Sequence, residues 1–149
     1  MKIFESLDKV SNEEMESKIL KKWKSEDILN KTIENRKNSK NFVFYDGPIY
    51  ANAKPGIHHV FAKTIKDSIC KYRTMKGNRV LRKIGLDTHG LPIEVNVEKK
   101  LGFKSKADIE KFGIENFCKE CNKETATNID IVKKVTDQMG QFIDMENPY

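Results

Sequence analysis

The chain has 149 residues, enough for one ordinary domain with a sizeable core and too few for two large ones. Charged residues make up 34% and hydrophobic ones 38%, which excludes collagen-like and fully disordered classes. Lys and Arg total 28 against 22 Asp and Glu, and the resulting +6 favours polyanions such as nucleotides or RNA, with the lysines spread out rather than run together.

No apolar stretch approaches the ~18 residues of a membrane span, and the opening MKIFESLDKV lacks the long apolar segment of a secretory signal. Neither membrane insertion nor export is therefore expected. Three cysteines, Cys70, Cys118 and Cys121, are an odd number without an export signal, so no disulfide framework is expected. The expected setting is the cytoplasm, with reduced thiols.

Ser11 followed by Glu14 reads as a capping box, and Met15, Ile19 and Trp23 predict an amphipathic helix over about Asn12 to Lys24. Ser25 is placed to cap a second helix through Ile28 and Ile33. Residues 1–40 thus read as a helical appendage to a domain over 41–149. The run Phe42-Val43-Phe44-Tyr45 predicts a buried strand, ending in Asp46-Gly47-Pro48. After a loop rich in Gly and Pro, a stripe of Ile57, Phe61, Ile65, Ile69, Tyr72 and Met75 predicts a long helix closing at Gly77.

A second strand is expected over Arg79 to Ile84. Next comes the loop Gly85 to Leu91, and Pro92 suits the first turn of a helix through Ile93, Val97 and Leu101. Ser105 and Asp108 open a short helix ending by Gly113. A last long helix carries Phe117, Cys121, Thr125, Asn128, Val132, Val135 and Met139 on one stripe. Strand, helix, strand in this order implies an α/β fold with a parallel sheet and a right-handed crossover.

Ligands of open parallel sheets sit beyond the carboxyl ends of the strands, so Asp46 to His59 and Gly85 to Gly90 are expected to converge. His58 and His59 begin the long helix, where free N–H groups and the positive dipole end favour an anion. Gly47 and Gly56 allow close approach of a ligand to the backbone, and Pro48 and Pro55 stiffen the loop. Asp87 adds a negative charge opposite, giving a bipolar pocket for phosphates on one side and an ammonium or hydroxyl on the other. Cys118 and Cys121 have zinc-ligand spacing. No second CxxC pair follows and the histidines lie far upstream, so a helical thiol pair is the favoured reading and no metal site is assigned.

The stretch Phe42 to Gly102 resembles the N-terminal catalytic segment of class I isoleucyl-tRNA synthetases. The resemblance rests on YDGP, the GIHH form of the HIGH element, TIKD, the segment Tyr72 to Gly77 and DTHGLPIE, in order and at family spacing. The leading helices, FGIENFCKEC and the closing MGQFIDMENPY extend it over essentially the whole chain. It implies the N-terminal half of a Rossmann-like, HUP-type nucleotide-binding sheet preceded by helices.

It also implies an ATP-dependent aminoacyl-adenylate reaction, normally with Mg2+, that charges tRNA(Ile). By motif position His59 should meet the ATP phosphates, with Ile57 holding the turn in the core and Gly56, which stands where the family commonly has the first His, also at the ATP site. His58 stands where the family commonly has Gly, and serves as a second catalytic candidate. Asp87 matches the residue that grips the isoleucine ammonium, and Gly47 and Pro48 match the wall facing the isoleucine side chain.

Departures from the family pattern fall at Ile49 for Pro, Ala53 for Gly, Leu86 for Trp and Phe142 for Trp. Lys104-Ser105-Lys106 has a superficial likeness to the family's mobile lysine loop, but its position fits a helix cap. Two readings stay open: a fragment of an isoleucine-tRNA ligase whose uncovered apolar sheet edge leaves it marginally stable or self-associating, or a non-catalytic remnant or paralogue acting as a nucleotide-binding or interaction module.

Overall fold

The computed structural model describes residues 11–149, so the first ten residues of the expected appendage lie outside the described residues. Helix α1 (Asn12–Ser25) starts as expected: Ser11 Oγ accepts from the Glu14 N–H at 3.2 Å, and the Glu14 carboxylate accepts from the Ser11 N–H. Helix α2 (Ile28–Glu34) departs from the expected cap. Asp27, in the left-handed region at φ 50°, precedes it, while Ser25 Oγ turns back to donate to Lys22 C=O. A hydroxyl in the last turn of one helix is already within reach of that helix's own carbonyl, so it does not cap the next.

These helices are fastened to the rest of the molecule. Trp23 packs edge-on against Phe142 with ring centroids 4.7 Å apart, and Arg36 donates to Thr74 C=O at 2.8 Å. Phe142, where the family commonly has Trp, thus fills an aromatic contact of its own. Lys71 lies over both rings while donating to Gly140 C=O at 2.9 Å.

The strands fall later than expected. Strand β1 (Ile49–Tyr50) pairs in parallel with β2 (Leu86–Asp87), in the register Ile49 to Leu86 and Tyr50 to Asp87. Upstream, Asn41 and Arg79 form a lone parallel bridge, and 42–45 and 80–84 are not strands. The reason lies in the count. Partners are offset by 38 residues at the bridge and by 37 at β1, so the first segment carries one extra residue between the two pairings, as in a bulge. Pro48, without an N–H, falls in that stretch.

Ile49 resumes the ladder by donating to Gly85 C=O at 3.1 Å, a bond that the family's usual Pro could not make. The other side of 82–86 is taken by the tail: Ile84 N–H donates to Asp144 C=O, and Leu86 N–H to Tyr149 C=O. The described fold is therefore helix-rich around a two-stranded parallel sheet extended by bridges.

Helix α3 (Ile57–Met75) connects the two strands and is reversed relative to its expected facing. Ile57, Phe61, Ile65, Ile69, Tyr72 and Met75 are all exposed, and Ile57, expected in the core, is 82% exposed. The buried positions are Lys63, Cys70 and Thr74. Partners elsewhere account for this inversion: Asp46 lies under Lys63, and the guanidinium of buried Arg82 donates to Cys70 C=O at 2.9 Å and to Thr74 Oγ1. Burial pulls the Arg82 pKa below its usual value, and its three carbonyl and hydroxyl acceptors offset that cost.

Downstream the expectations hold. Helix α4 (Leu91–Leu101) has Pro92 in its first turn and buries Ile93 and Val97. Helix α5 (Lys106–Phe112) is opened by Ser105, whose N–H and Oγ both bond the Asp108 carboxylate, so the Lys-Ser-Lys triplet is a helix cap. Helix α6 (Ile114–Gln138) packs on α4 and α5 and buries Phe117, Thr125, Asn128 and Val132. Val132 joins Ile49, Ile84 and Ile143 in the core, with Leu86 and Met145 packed against it.

Candidate functional site

The parallel pairing of β1 with β2 sets the two motif loops side by side. Tyr50 stands opposite Asp87, and the Ala51 N–H donates to Asp87 C=O at 2.9 Å. The Tyr50 hydroxyl donates to His89 C=O, and Asn96 of α4 donates to Asn52 C=O at 2.6 Å. Asn128 of α6 completes the junction with a bond to Ala51 C=O at 3.1 Å. Three elements therefore fasten the turn at 51–52, which feeds directly into α3.

Gly90, at φ 108°, occupies a conformation that side chains rarely adopt, and a Cβ there would meet the Tyr50 hydroxyl at 2.8 Å. Burial, and the carboxylates of Asp87 and Glu94, push the Tyr50 phenol above its ordinary value, so it stays a protonated donor at neutral pH. Ala53 is exposed, and among the described residues only Asp27 has a positive φ outside glycine. The replacement of Gly by Ala at 53 carries no backbone strain.

His59 is half-buried at the start of α3. Its Nδ1 accepts from the Gly56 N–H at 3.1 Å, which requires an unprotonated Nδ1 and leaves the proton on Nε2. Burial first, then the neighbouring His58 and Lys63, hold its pKa below the usual histidine value, in agreement with a neutral ring. Gly56, unlike a larger residue, leaves room for His58, whose ring atoms would lie 2.8 Å from a Cβ at 56. His58 is exposed and its ring centroid is 4.0 Å from that of His59. The helix start thus offers two imidazoles beside unbonded N–H groups.

Sequence reasoning missed the anchor of the first loop. Asp46, 1% exposed, accepts from Lys63 Nζ at Oδ2 and from Lys66 Nζ at Oδ1, both at 2.8 Å. Its backbone C=O accepts from the Tyr149 hydroxyl. Gly47 and Pro48 therefore leave the core from a clamped residue, and both are exposed. The signal was present as an Asp before Gly-Pro with two lysines three apart on the next helix.

The convergence concerns the loops, not every candidate side chain. Among the described residues no hydrogen bond or ion pair joins His59 to Asp87, whose Oδ1 caps the His89 N–H at 3.4 Å. A cleft of about 770 Å³ lies elsewhere, lined by α1, α2, the end of α6 and the tail, with no residue from either loop. Cys118 is exposed, Cys121 half-buried and both are free. No group of three His, Cys, Asp or Glu among the described residues is arranged to hold a metal ion. No helix among them is long and apolar enough to cross a membrane.

Two clamped loops lie at the ends of paired parallel strands, and one leads into a helix that opens with two imidazoles. Residues 18–149 match the family model described as tRNA synthetases class I (I, L, M and V), and the chain belongs to that family. Among curated relatives it is similar to the isoleucine–tRNA ligase of Clostridium novyi, at 45% identity over 135 residues. It is 46% identical over 136 residues to that of Clostridium kluyveri, and 44% identical over 134 residues to isoleucine–tRNA ligase 2 of Bacillus cereus. These alignments cover 90–91% of this chain and 13% of each relative.

Proposed function

We propose that this chain contributes the ATP- and isoleucine-binding part of an isoleucine–tRNA ligase catalytic domain, built on the N-terminal half of a Rossmann-like sheet over residues 41–149, with residues 1–40 as an appended helical unit. The observation that supports the reading is the in-register pairing of Tyr50 with Asp87, which joins the strand leading toward α3 to the strand that carries Asp87. The similarity to isoleucine–tRNA ligases supports the choice of amino acid.

In the proposed reaction an isoleucine carboxylate oxygen attacks the α-phosphorus of ATP. The new bond is the acyl–phosphate link, the bond broken joins the α-phosphorus to the bridging oxygen, and pyrophosphate carries away the electron pair. The acyl group then passes to a tRNA(Ile) hydroxyl and AMP departs. Little covalent chemistry falls to the protein, whose contribution is alignment and stabilisation of phosphate charge. His59 donates through Nε2–H to the phosphates at the start of α3, and His58 supplies a second donor beside it. Gly56 and Ile57 form the turn against the nucleotide. Asp87 takes the isoleucine ammonium, and Gly47 and Pro48 face its side chain. Mg2+ enters as the counter-ion of the triphosphate rather than in a cage of protein ligands. The setting proposed for this reaction is the cytoplasm.

An assay of tRNA(Ile) charging with the 149-residue chain should give negligible turnover, because so small a share of the relatives' length is present. Isoleucine with ATP should nevertheless raise the melting temperature more than valine or leucine does. Equal shifts with all three amino acids would contradict the assignment to isoleucine. No shift with any ligand would favour a non-catalytic relative acting as an interaction module.

A further inference from the structure

The positive charge of the chain is unevenly placed. Residues 35–45 and 68–86 carry nine Lys and Arg and no Asp or Glu, whereas the remainder has 19 basic residues against all 22 acids. The fold joins these two segments at the start of the parallel ladder. Asn41 bridges Arg79, the Arg79 N–H donates to Lys40 C=O at 3.0 Å, and the Asn78 amide donates to the same carbonyl at 3.2 Å. Arg73, in the last turn of α3, lies 5.0 Å over the ring of Phe42. The negative end of the α3 dipole favours Arg73 and Lys76 there, but Lys40 and Arg79 come from other segments and gain nothing from capping it.

Three of the nine are already engaged. Arg82 is buried, Arg36 donates to the carbonyls of Thr74 and Thr32, and Lys71 is held by Asp67 at 2.6 Å. Among the described residues none of the other six, Lys37, Lys40, Arg73, Lys76, Arg79 and Lys83, is in an ion pair. All are exposed except Arg79, which is half-buried with its Nε unpaired. Two carboxylates border the group: Glu34, three residues before Lys37, and Asp144, whose backbone pairs with Lys83. Its centre is Lys40, Arg73, Lys76 and Arg79.

We infer that this end of the sheet is a binding surface for single-stranded RNA, gripped through its phosphates and separate from the proposed catalytic loops. Cations spread over a loop, a helix end and an extended segment repel one another, and they suit a ligand whose negative charge repeats along its length. A polynucleotide also brings bases and sugars, and the surface offers partners for both. The Arg73 guanidinium lies over an aromatic ring, Tyr72 is 54% exposed, and Asn38, Ser39 and Asn41 are exposed hydrogen-bonding side chains. An anionic lipid surface would use the charge alone. Helix α3 has 19 residues and spans about 28 Å, so this end lies far from the imidazoles at its start, and the inference does not depend on the catalytic reading.

Fluorescence anisotropy of a labelled oligouridylate of about twelve nucleotides, titrated with the 149-residue chain, tests this. Four phosphate contacts predict binding about 50-fold weaker at 200 mM salt than at 50 mM. Arg73→Gln with Lys76→Gln should weaken binding about tenfold and reduce that salt effect to about sevenfold, with the far-ultraviolet circular dichroism of the parent retained. Lys99→Gln with Lys104→Gln removes the same charge from exposed positions elsewhere and should bind as the parent does. A parent that leaves the oligonucleotide free would overturn the inference, and one that instead sediments with phosphatidylserine vesicles would assign this end to a lipid surface. Equal weakening by the two pairs of substitutions would overturn it as well.

Discussion

Asp46→Ala should cost about 3–5 kcal/mol of folding stability, the range for removing one partner of a buried ion pair. The loss arises on Lys63, whose ammonium-bearing side chain is 8% exposed and has Asp46 as its acid partner. Lys66 contributes less, since its side chain is 37% exposed and can turn to water. The effect should be asymmetric. Lys63→Met leaves Asp46 bonded to Lys66 and should be far milder, and Asp46→Leu with Lys63→Met together should recover most of the loss by replacing the pair with apolar packing.

Thermal unfolding followed by circular dichroism measures all three. For a chain of this length the expected drop for Asp46→Ala is on the order of 10 °C. Equal losses for Asp46→Ala and Lys63→Met would mean that the carboxylate is not the hub of the first loop.

Gly85→Ala should be clearly destabilising, through a steric clash rather than backbone strain. A Cβ at 85 would meet Pro48 Cα and Tyr149 Cζ, each at 2.9 Å. Tyr149 is half exposed and its ring can swing aside, but Pro48 Cα belongs to backbone held by the Ile49 N–H bond to Gly85 C=O at 3.1 Å. The methyl therefore pushes the loop off the sheet, at about 1–3 kcal/mol for overpacking.

Gly47→Ala provides the contrast, because its Cβ would meet only Lys66 Nζ, at 4.0 Å. Chemical denaturation should show Gly85→Ala shifted to a lower midpoint and Gly47→Ala close to the parent. A Gly85→Ala variant as stable as the parent would show that Pro48 is not seated against position 85. Since Pro48 is also proposed to face the substrate side chain, the same displacement should weaken isoleucine binding.

What could be read from the sequence was local. The capping boxes at Ser11 and Ser105 and the proline in the first turn of α4 lie within a few residues of what they control, and each is found where expected. Longer reach defeated the pattern. The stripe on α3 correctly announces a helix, but periodicity says only which residues share a face, and a lysine points inward when an acid seventeen residues earlier waits there. The strand positions failed for a related reason. One extra residue and a proline between Asn41 and Ile49 shift the pairing downstream, a count visible only once both partners are known.

The polar Thr125 and Asn128 on the stripe of α6 were legible as an anomaly, and the structure supplies the reason for Asn128, whose amide reaches across to Ala51 C=O. Convergence of the two loops was legible from topology alone. The clamp beneath them was not, because Asp46 reads as a turn residue until its two lysines are brought back by α3.

Calorimetric titration with MgATP and then isoleucine, on the parent, His59→Ala and Asp87→Ala, measures most directly whether the paired loops form a divided site. ATP should bind the parent and bind His59→Ala at least tenfold more weakly, a difference of about 1.4 kcal/mol. Asp87→Ala should keep its ATP affinity and lose the heat of isoleucine binding. A parent that takes up no ATP, or a His59→Ala variant that binds it as the parent does, would contradict the account.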